Sequence, residues 1–336
     1  MGIDLPLVWA VIILFSVMMY VIMDGFVLGI GILFPLFRNK EEHDAVMNTV
    51  APVWDGNATW LVMGGAGLFV AFPMAYAVIL SAFYLPLVIM LVGLIFRGVA
   101  FEFRFKASEG RRWIWDMAFT AGSYVAALFQ GVTLGAFLEG VVVRDGKYAG
   151  SPFDWVAPFP LFVGLGLIAT HALLGGTWLV LKTDGDLQRR IRELSRKLAW
   201  VLLAFIAAIS AWTPFSQPAV AQRWFSVPNV FWFAPVPVLV ILCTLYLQRA
   251  LRSADAHALP FVLTLALVFL GYSGLGISLW PYVIPPSVTI WEAAGPPQSL
   301  GFTLVGALLI IPMILGYTAL GYWVFRGKVR PGEGYH

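Results

Sequence analysis

The segment Val50-Ala-Pro-Val-Trp-Asp-Gly-Asn-Ala-Thr-Trp-Leu61 places an acid, Asp55, just before a long apolar run that begins at Ala58. A second acid, Asp24, lies inside the apolar run that precedes this segment. Insertion scales give a cost of about 3 kcal/mol for an Asp at the centre of a membrane helix. Two acids on consecutive apolar runs therefore indicate that the chain handles protons or ions within a membrane.

The composition predicts a multi-pass membrane protein. Hydrophobic residues are 60% and charged residues only 12% of the 336 residues, against about 45–50% and about 25% in soluble domains. A sequence pI near 9.0 is compatible with nucleic-acid binding, but the basic residues lie in loops on one side of the membrane, so no nucleic-acid partner is expected. Cys243 is the only cysteine, which excludes an intrachain disulfide and a cysteine-based metal site. No metal site is expected elsewhere.

Nine apolar runs approach or exceed the roughly 20 residues that a helix needs to cross a bilayer. We therefore predict an all-α membrane protein in which residues 1–336 form a single integral membrane domain, a bundle of nine transmembrane helices. The second and third runs are nearly fused, and Pro73 predicts a tight turn between them near 74–77. The runs are 7–34, 58–77, 78–101, 117–140, 158–181, 198–215, 230–250, 259–280 and 300–325.

The lysines and arginines predict how these nine helices are oriented. If the N-terminus is periplasmic, the 21 basic residues all fall on the cytoplasmic side except Arg144, Lys147 and Arg223. Cytoplasmic loops carry the excess of Lys and Arg in membrane proteins. We therefore predict a periplasmic N-terminus and a cytoplasmic C-terminus.

Two kinds of connecting segment have a distinctive composition. In the cytoplasmic segment 185–197, apolar residues recur at helical spacing among arginines, which predicts an amphipathic helix that anchors the chain on the inner membrane surface. The periplasmic segments 141–157, 216–229 and 281–299 are rich in Pro, Trp, Phe and Gly. We expect them to fold against the outer membrane face or a partner.

Three acids near the cytoplasmic side are candidates for chemistry. Asp24 is either a protonatable relay, as buried acids in membranes often are, or a structural acid held by a backbone group or an arginine. Asp55 is either a relay or the N-cap of the following helix, a position that Asp favours. Glu102 is the third, and an ion pair with Arg97 or Arg104 is the favoured explanation for it.

The histidines argue against a haem protein. His171 is the one histidine in a predicted span, and His43, His257 and His336 lie in loops or the tail. Haem iron needs axial ligands such as His, and a lone His in an apolar helix is more often packed and hydrogen-bonded. We expect this chain to bind no haem and no other cofactor by itself.

Several segments together resemble subunit II of the cytochrome bd family of quinol oxidases, and the resemblance covers the whole chain. The motif Trp54-Asp-Gly-Asn57 is its most specific part. The family often has an acid where Val27 stands and a His where Val53 stands, and these departures resemble the cyanide-insensitive branch. The segments are Asp24-Gly-Phe-Val-Leu-Gly-Ile-Gly31, Ala51-Pro-Val-Trp-Asp-Gly-Asn57 with Trp60, Phe96-Arg97 with Phe101-Glu-Phe-Arg104, and Pro285-Pro-Ser287 followed by Trp291.

The resemblance implies a heterodimer with a haem-bearing subunit I in the inner membrane of a bacterium. Subunit I would hold haem b and haem d, or haem b alone, and the complex would oxidise quinol, with ubiquinone as the candidate quinone, and reduce O2 to water. Protons would come from the cytoplasm, so that turnover generates membrane potential. This chain would stabilise subunit I and supply Asp24, Asp55 and Glu102 to a proton path, with no catalytic residue of its own.

The resemblance leaves some partners and one alternative open. Small single-span subunits and membrane lipid are further expected partners, and no residue can be assigned to quinone binding. The alternative is an ion-coupled secondary transporter with Asp24 and Asp55 at its ion site. Transporters are often built from two repeated halves, whereas nine spans do not halve and no repeat is visible.

Overall fold

The computed structural model describes residues 2–329, which form a helical bundle with two short β-hairpins. The hairpins pair β1 (Val143–Arg144) with β2 (Lys147–Tyr148) and β3 (Tyr282–Ile284) with β4 (Val288–Thr289). The helices are α1 (Leu5–Leu33), α2 (Lys40–Asn48), α3 (Trp54–Ala71), α4 (Pro73–Ala82), α5 (Tyr84–Lys106), α6 (Arg112–Glu139), α7 (Pro158–Lys182), α8 (Gly185–Ser216), α9 (Pro218–Phe225), α10 (Asn229–Phe233), α11 (Pro235–Arg252), α12 (Leu259–Leu279) and α13 (Pro297–Val324).

Eight helical segments within residues 2–329 are long and apolar enough to cross a membrane. The all-α membrane architecture is thereby confirmed, while the predicted number of nine is not. The difference is α3, an 18-residue helix that is not among the eight because its first turn contains Asp55, Gly56 and Asn57. The eight segments are Leu5–Leu36, Tyr84–Lys106, Glu109–Glu139, Pro158–Lys182, Gly185–Ser216, Asn229–Arg252, Leu259–Leu279 and Pro297–Val324.

The tight turn predicted near 74–77 is wrong. Those residues lie within the short helix α4, and the chain breaks instead at Phe72 and Phe83. Pro73 is the first residue of α4, where its missing N–H and fixed φ suit a helix start but cannot continue the preceding helix. The predicted spans 58–77 and 78–101 are therefore three helices, α3, α4 and α5.

The amphipathic helix predicted over 185–197 exists, but it is the first part of the 32-residue helix α8. Its apolar face packs on the core of the bundle through Ile191, with Leu187, Leu194 and Leu198 partly buried around it. The interpretation as a separate helix on the membrane surface is therefore wrong, because these apolar side chains find protein partners.

The loop segments 141–157, 216–229 and 281–299 make hydrogen bonds within the protein, while their contact with the outer membrane face or a partner stays a prediction. The backbone N–H of Val141 donates to the carbonyl of Pro285 at 3.0 Å, and the Gln217 side chain donates to the carbonyl of Glu139 at 2.5 Å. The Arg223 side chain donates to the carbonyl of Ile277 at 3.1 Å. These bonds tie the segments 141–157, 216–229 and 281–299 to each other and to the helix ends.

Helices α1 and α7 approach each other so closely that only glycine fits between them. A Cβ on Gly29 would overlap the carbonyl oxygen of His171 and lie 2.7 Å from the backbone nitrogen of Gly175. From Met23 to Phe34 every residue of this part of the chain is buried. This contact therefore forms the centre of the bundle.

Replacing Gly29 by Ala is expected to lower the yield and melting temperature of the assembled protein. The clash is with backbone rather than with a movable side chain, so the two helices must separate, and overpacking of this kind costs about 1–3 kcal/mol or more. Gly306→Ala on α13 is the matched control, because nothing lies within 4 Å of its Cβ position. Equal melting temperatures for the two variants would contradict this account of the α1–α7 contact.

Candidate functional site

A buried ion pair joins Asp24 of α1 to Arg97 of α5. The Nη1 group of Arg97 donates to Oδ1 of Asp24 at 2.5 Å, and the two side chains are only 3% and 1% exposed. The ion pair with an arginine, expected if Asp24 is a structural acid, is thus observed; whether Asp24 is also a proton relay stays a prediction. Arg97 does not pair with Glu102, because residues five apart on a helix do not share a face.

Two further side chains extend this pair into a polar cluster along α1 and α6. The hydroxyl of Tyr20, one helical turn before Asp24, faces the Asp24 carboxylate. It also accepts a hydrogen bond from the Gln130 side chain of α6 at 2.5 Å. Tyr20 is buried, so the cluster reaches deeper into the bundle than the ion pair alone.

The motif Trp54-Asp-Gly-Asn57 contacts the same part of α1 through its last residue. The Asn57 side chain donates to the carbonyl of Met23 at 2.7 Å, and its oxygen accepts from the Tyr322 hydroxyl of α13 at 2.9 Å. Asn57 is 1% exposed. The motif therefore attaches α3 and α13 to α1 immediately beside Asp24.

Several buried polar atoms of this cluster have no hydrogen-bond partner in the protein. They are Oδ2 of Asp24, Nε of Arg97, Nε1 of Trp60 and both ring nitrogens of His171. More than about 90% of buried polar groups are hydrogen-bonded to protein or to ordered water. The cluster around the Asp24–Arg97 pair therefore contains donors and acceptors that the protein itself leaves unpaired.

Asp55 and Glu102 lie close to this cluster along the chain but are exposed in this subunit. Their preceding residues, Trp54 and Phe101, stack with ring centroids 5.0 Å apart, which brings the start of α3 beside the end of α5. The N-cap interpretation of Asp55 is wrong, because Val53 occupies the N-cap position and Asp55 lies in the first turn of α3.

Glu102 has a different partner from those expected. Its carboxylate lies 3.6 Å from the Lys106 ammonium, and both side chains are mostly exposed. Neither Arg97 nor Arg104 contacts it, because both are turned into the bundle toward other acids. Glu102 is therefore a surface acid next to the buried cluster.

Arg104 forms a second buried ionic contact that the sequence analysis missed. Its Nε donates to Asp116 of α6 at 2.5 Å, its Nη1 donates to Asp44 of α2, and its own side chain is 1% exposed. The rings of Phe34 and Phe105 lie 5.7 Å from its guanidinium. Sixty residues separate Arg104 from Asp44, so no local spacing could have revealed the pair.

The described histidines do not fit a haem. His171 is fully buried, and its ring lies 2.9 Å from the Cβ position of Gly25, which leaves no room for a porphyrin. His43 stacks on Phe34 at 4.3 Å between ring centroids, and Nδ1 of His257 lies 3.1 Å from the Gln188 side chain. Residues 2–329 also contain no group of three or more His, Cys, Asp or Glu that could hold a metal ion.

The family described as cytochrome bd terminal oxidase subunit II matches residues 5–325. The chain belongs to this family. Subunit 2 of the cytochrome bd-I ubiquinol oxidase of Escherichia coli K12 is 31% identical over 97% of this chain and 95% of its own length. The cytochrome bd ubiquinol oxidase subunit 2 of Bacillus subtilis 168 is 28% identical, with 97% of each chain covered.

The fold agrees with this membership. A chain of the bd oxidase from Geobacillus thermodenitrificans superposes with a TM-score of 0.75 and 18% identity, over 95% of this chain and 98% of its own length. The resemblance to subunit II is thus confirmed, and the transporter alternative finds no support. This subunit II is a multi-pass protein of the inner membrane and part of an oxidoreductase complex in which its partner is subunit I.

Proposed function

We propose that this subunit II stabilises a haem-bearing subunit I in a quinol oxidase and carries part of the path by which cytoplasmic protons reach it. The observation that carries this proposal is the buried Asp24–Arg97 pair, whose free carboxylate oxygen lies among other unpaired polar atoms. The relatives from E. coli and B. subtilis are subunits of ubiquinol oxidases, so ubiquinol is the proposed electron donor. Haem b with haem d, or haem b alone, belongs to subunit I, where O2 is reduced to water.

The proposed topology has nine membrane crossings, with a periplasmic N-terminus and a cytoplasmic C-terminus. The ninth crossing is α3, whose polar first turn lies beside the ionic contacts of Arg104. These contacts mark the basic end of the bundle, which also contains Arg112 and Arg190. Because basic residues concentrate in the cytoplasmic loops of membrane proteins, this end faces the cytoplasm and takes up protons. The protons of quinol are released on the outer side, so turnover generates membrane potential.

The proposed route runs from the exposed acids to the buried one. Glu102 and Asp55 collect protons at the basic end, and the stacked Trp54 and Phe101 hold their two helices together. Asp24 receives the proton at Oδ2, the oxygen that Arg97 leaves free. Arg97 compensates the carboxylate charge, which would otherwise be too costly at this depth.

Purification of the native complex tests the assignment to a quinol oxidase. A tag on this chain, mild extraction and a reduced-minus-oxidised spectrum are expected to show a second large membrane subunit, haem bands and quinol-driven O2 uptake. A colourless chain without a partner under both mild and stringent extraction would overturn the assignment.

Replacing Asp55 by Asn is expected to lower O2 uptake per haem several-fold at unchanged haem content. The side chain is exposed, so its neutralisation costs little stability, and the loss reports on function. Glu102→Gln should have a smaller effect, because its carboxylate is open to solvent and already paired with Lys106. Glu109→Gln, an exposed acid at the same end, is the control, and full activity of all three variants would move the entrance elsewhere.

A further inference from the structure

His171 of α7 is fully buried, yet neither of its ring nitrogens has a hydrogen-bond partner in the protein. A neutral imidazole has one donor and one acceptor nitrogen, and leaving either unpaired in the interior costs about 1–3 kcal/mol. The sequence favoured a packed and hydrogen-bonded histidine; the packing is observed, but no hydrogen bond from the protein to either ring nitrogen is. From this geometry we infer that His171 binds water beside the Asp24–Arg97 pair and passes protons to Asp24.

The imidazole lies directly over the backbone of α1 next to Asp24. The Cβ position of Gly25 is 2.9 Å from Cδ2 and 3.3 Å from Nε2 of the ring, so only glycine leaves space for the imidazole there. Gly25 is the immediate neighbour of Asp24, and the charge of Arg97 acts on the ring. The charged group that acts on His171 directly is thus Arg97 of α5, which also holds the Asp24 carboxylate.

The unpaired atoms of these three residues complement one another. Asp24 contributes an acceptor in Oδ2, Arg97 contributes a donor in Nε, and His171 contributes one of each. A buried water typically makes about three hydrogen bonds to otherwise unsatisfied polar groups. Arg97 links the set, because it binds Asp24 and its charge acts on His171.

The inferred step conserves protons and charge. A water molecule that has received a proton from the cytoplasmic side delivers it to the acceptor nitrogen of His171. The same nitrogen then releases this proton through a second water to Oδ2 of Asp24, so the ring returns to its original neutral tautomer and one proton has moved. Histidine suits this role because its neutral ring has one nitrogen that can accept a proton and one that donates a hydrogen bond.

This inference deepens the proposed proton route and rests on it. His171→Leu is expected to lower O2 uptake per haem at least five-fold, and His171→Gln, which can bind water but cannot accept a proton, should also lower it. Thr177→Val is the matched control on α7, because the Thr177 hydroxyl bonds only within its own helix, to the carbonyls of Leu173 and Leu174. Its activity per haem should equal that of the unaltered complex.

A high-resolution density map of the unaltered complex decides the water-binding part independently of any variant. Water within hydrogen-bonding distance of a ring nitrogen of His171 is expected, and its absence from both nitrogens would overturn the inference. Full activity of His171→Leu and His171→Gln together with a slow Asp24→Asn variant would overturn the role of His171 and leave the route standing. Full activity of all three variants would overturn the route itself.

Discussion

Replacing Asp24 by Asn is expected to lower quinol-driven O2 uptake per haem at least ten-fold and to lower the yield of assembled complex. The amide has the shape of the carboxylate but leaves the guanidinium of Arg97, 3% exposed, without a counter-charge. Removing one partner of a buried ion pair costs about 3–5 kcal/mol. Loss of a positioned proton-transfer group typically costs 10²–10⁴-fold in the affected step. Haem content and O2 uptake measured on the same preparation separate the two effects.

A double variant, Asp24→Asn with Arg97→Gln, distinguishes a proton relay from a structural ion pair. Removing both charges relieves the uncompensated guanidinium, so the yield and haem content should recover. If Asp24 is a relay, O2 uptake per haem stays low in this variant. Recovery of both yield and activity would show that the pair only holds α1 to α5.

Replacing Arg104 by Gln is expected to give the largest loss of stability at the basic end of the bundle. The change removes the common partner of Asp44 and Asp116, whose side chains are 30% and 24% exposed. Because the two acids are partly solvated, we expect a cost of about 2–3 kcal/mol, below the ~3–5 kcal/mol of a fully buried pair. Thermal unfolding of the purified complex, followed by haem release, measures it.

Two variants calibrate the Arg104 result. Arg104→Lys should recover only part of the stability, because one ammonium cannot reproduce the fixed geometry by which Nε and Nη1 reach two different carboxylates. Arg189→Gln removes an exposed pair with Asp186, of side chains 72% and 85% exposed, and should change stability by less than about 0.5 kcal/mol. A melting curve of Arg104→Gln that coincides with that of Arg189→Gln would contradict the structural role of Arg104.

The sequence predicted what depends on local composition. Long apolar runs identified seven of the membrane-spanning helices outright, and the spacing within 185–197 identified the start of α8. The breaks at Phe72 and Phe83 were hidden, because the chain stays apolar from Leu61 to Phe96 and hydropathy does not register where a helix ends. Only Pro73 signalled a boundary.

The candidate site was predicted in its acids but not in their partners. Asp24 was recognisable because a charge inside an apolar run is conspicuous. Its partner Arg97 is 73 residues away. On sequence grounds, Glu102, on the same helix as Arg97, was the simpler partner for that arginine. Asp44 was not singled out, and His171 had the appearance of a packed, hydrogen-bonded residue, because hydrogen-bond satisfaction depends on which helices meet. Tertiary contacts, which no local pattern encodes, therefore decide the roles.

Proton uptake by the Asp24→Asn, Arg97→Gln double variant tests the central claim most directly. The reduced complex is mixed with O2, and a pH-sensitive dye on the cytoplasmic side follows proton uptake, normalised to haem. We predict uptake at least ten-fold slower than in the unaltered complex, while haem reduction by quinol proceeds at the same rate in both. Uptake at the unaltered rate in a fully assembled double variant would contradict a proton route through Asp24.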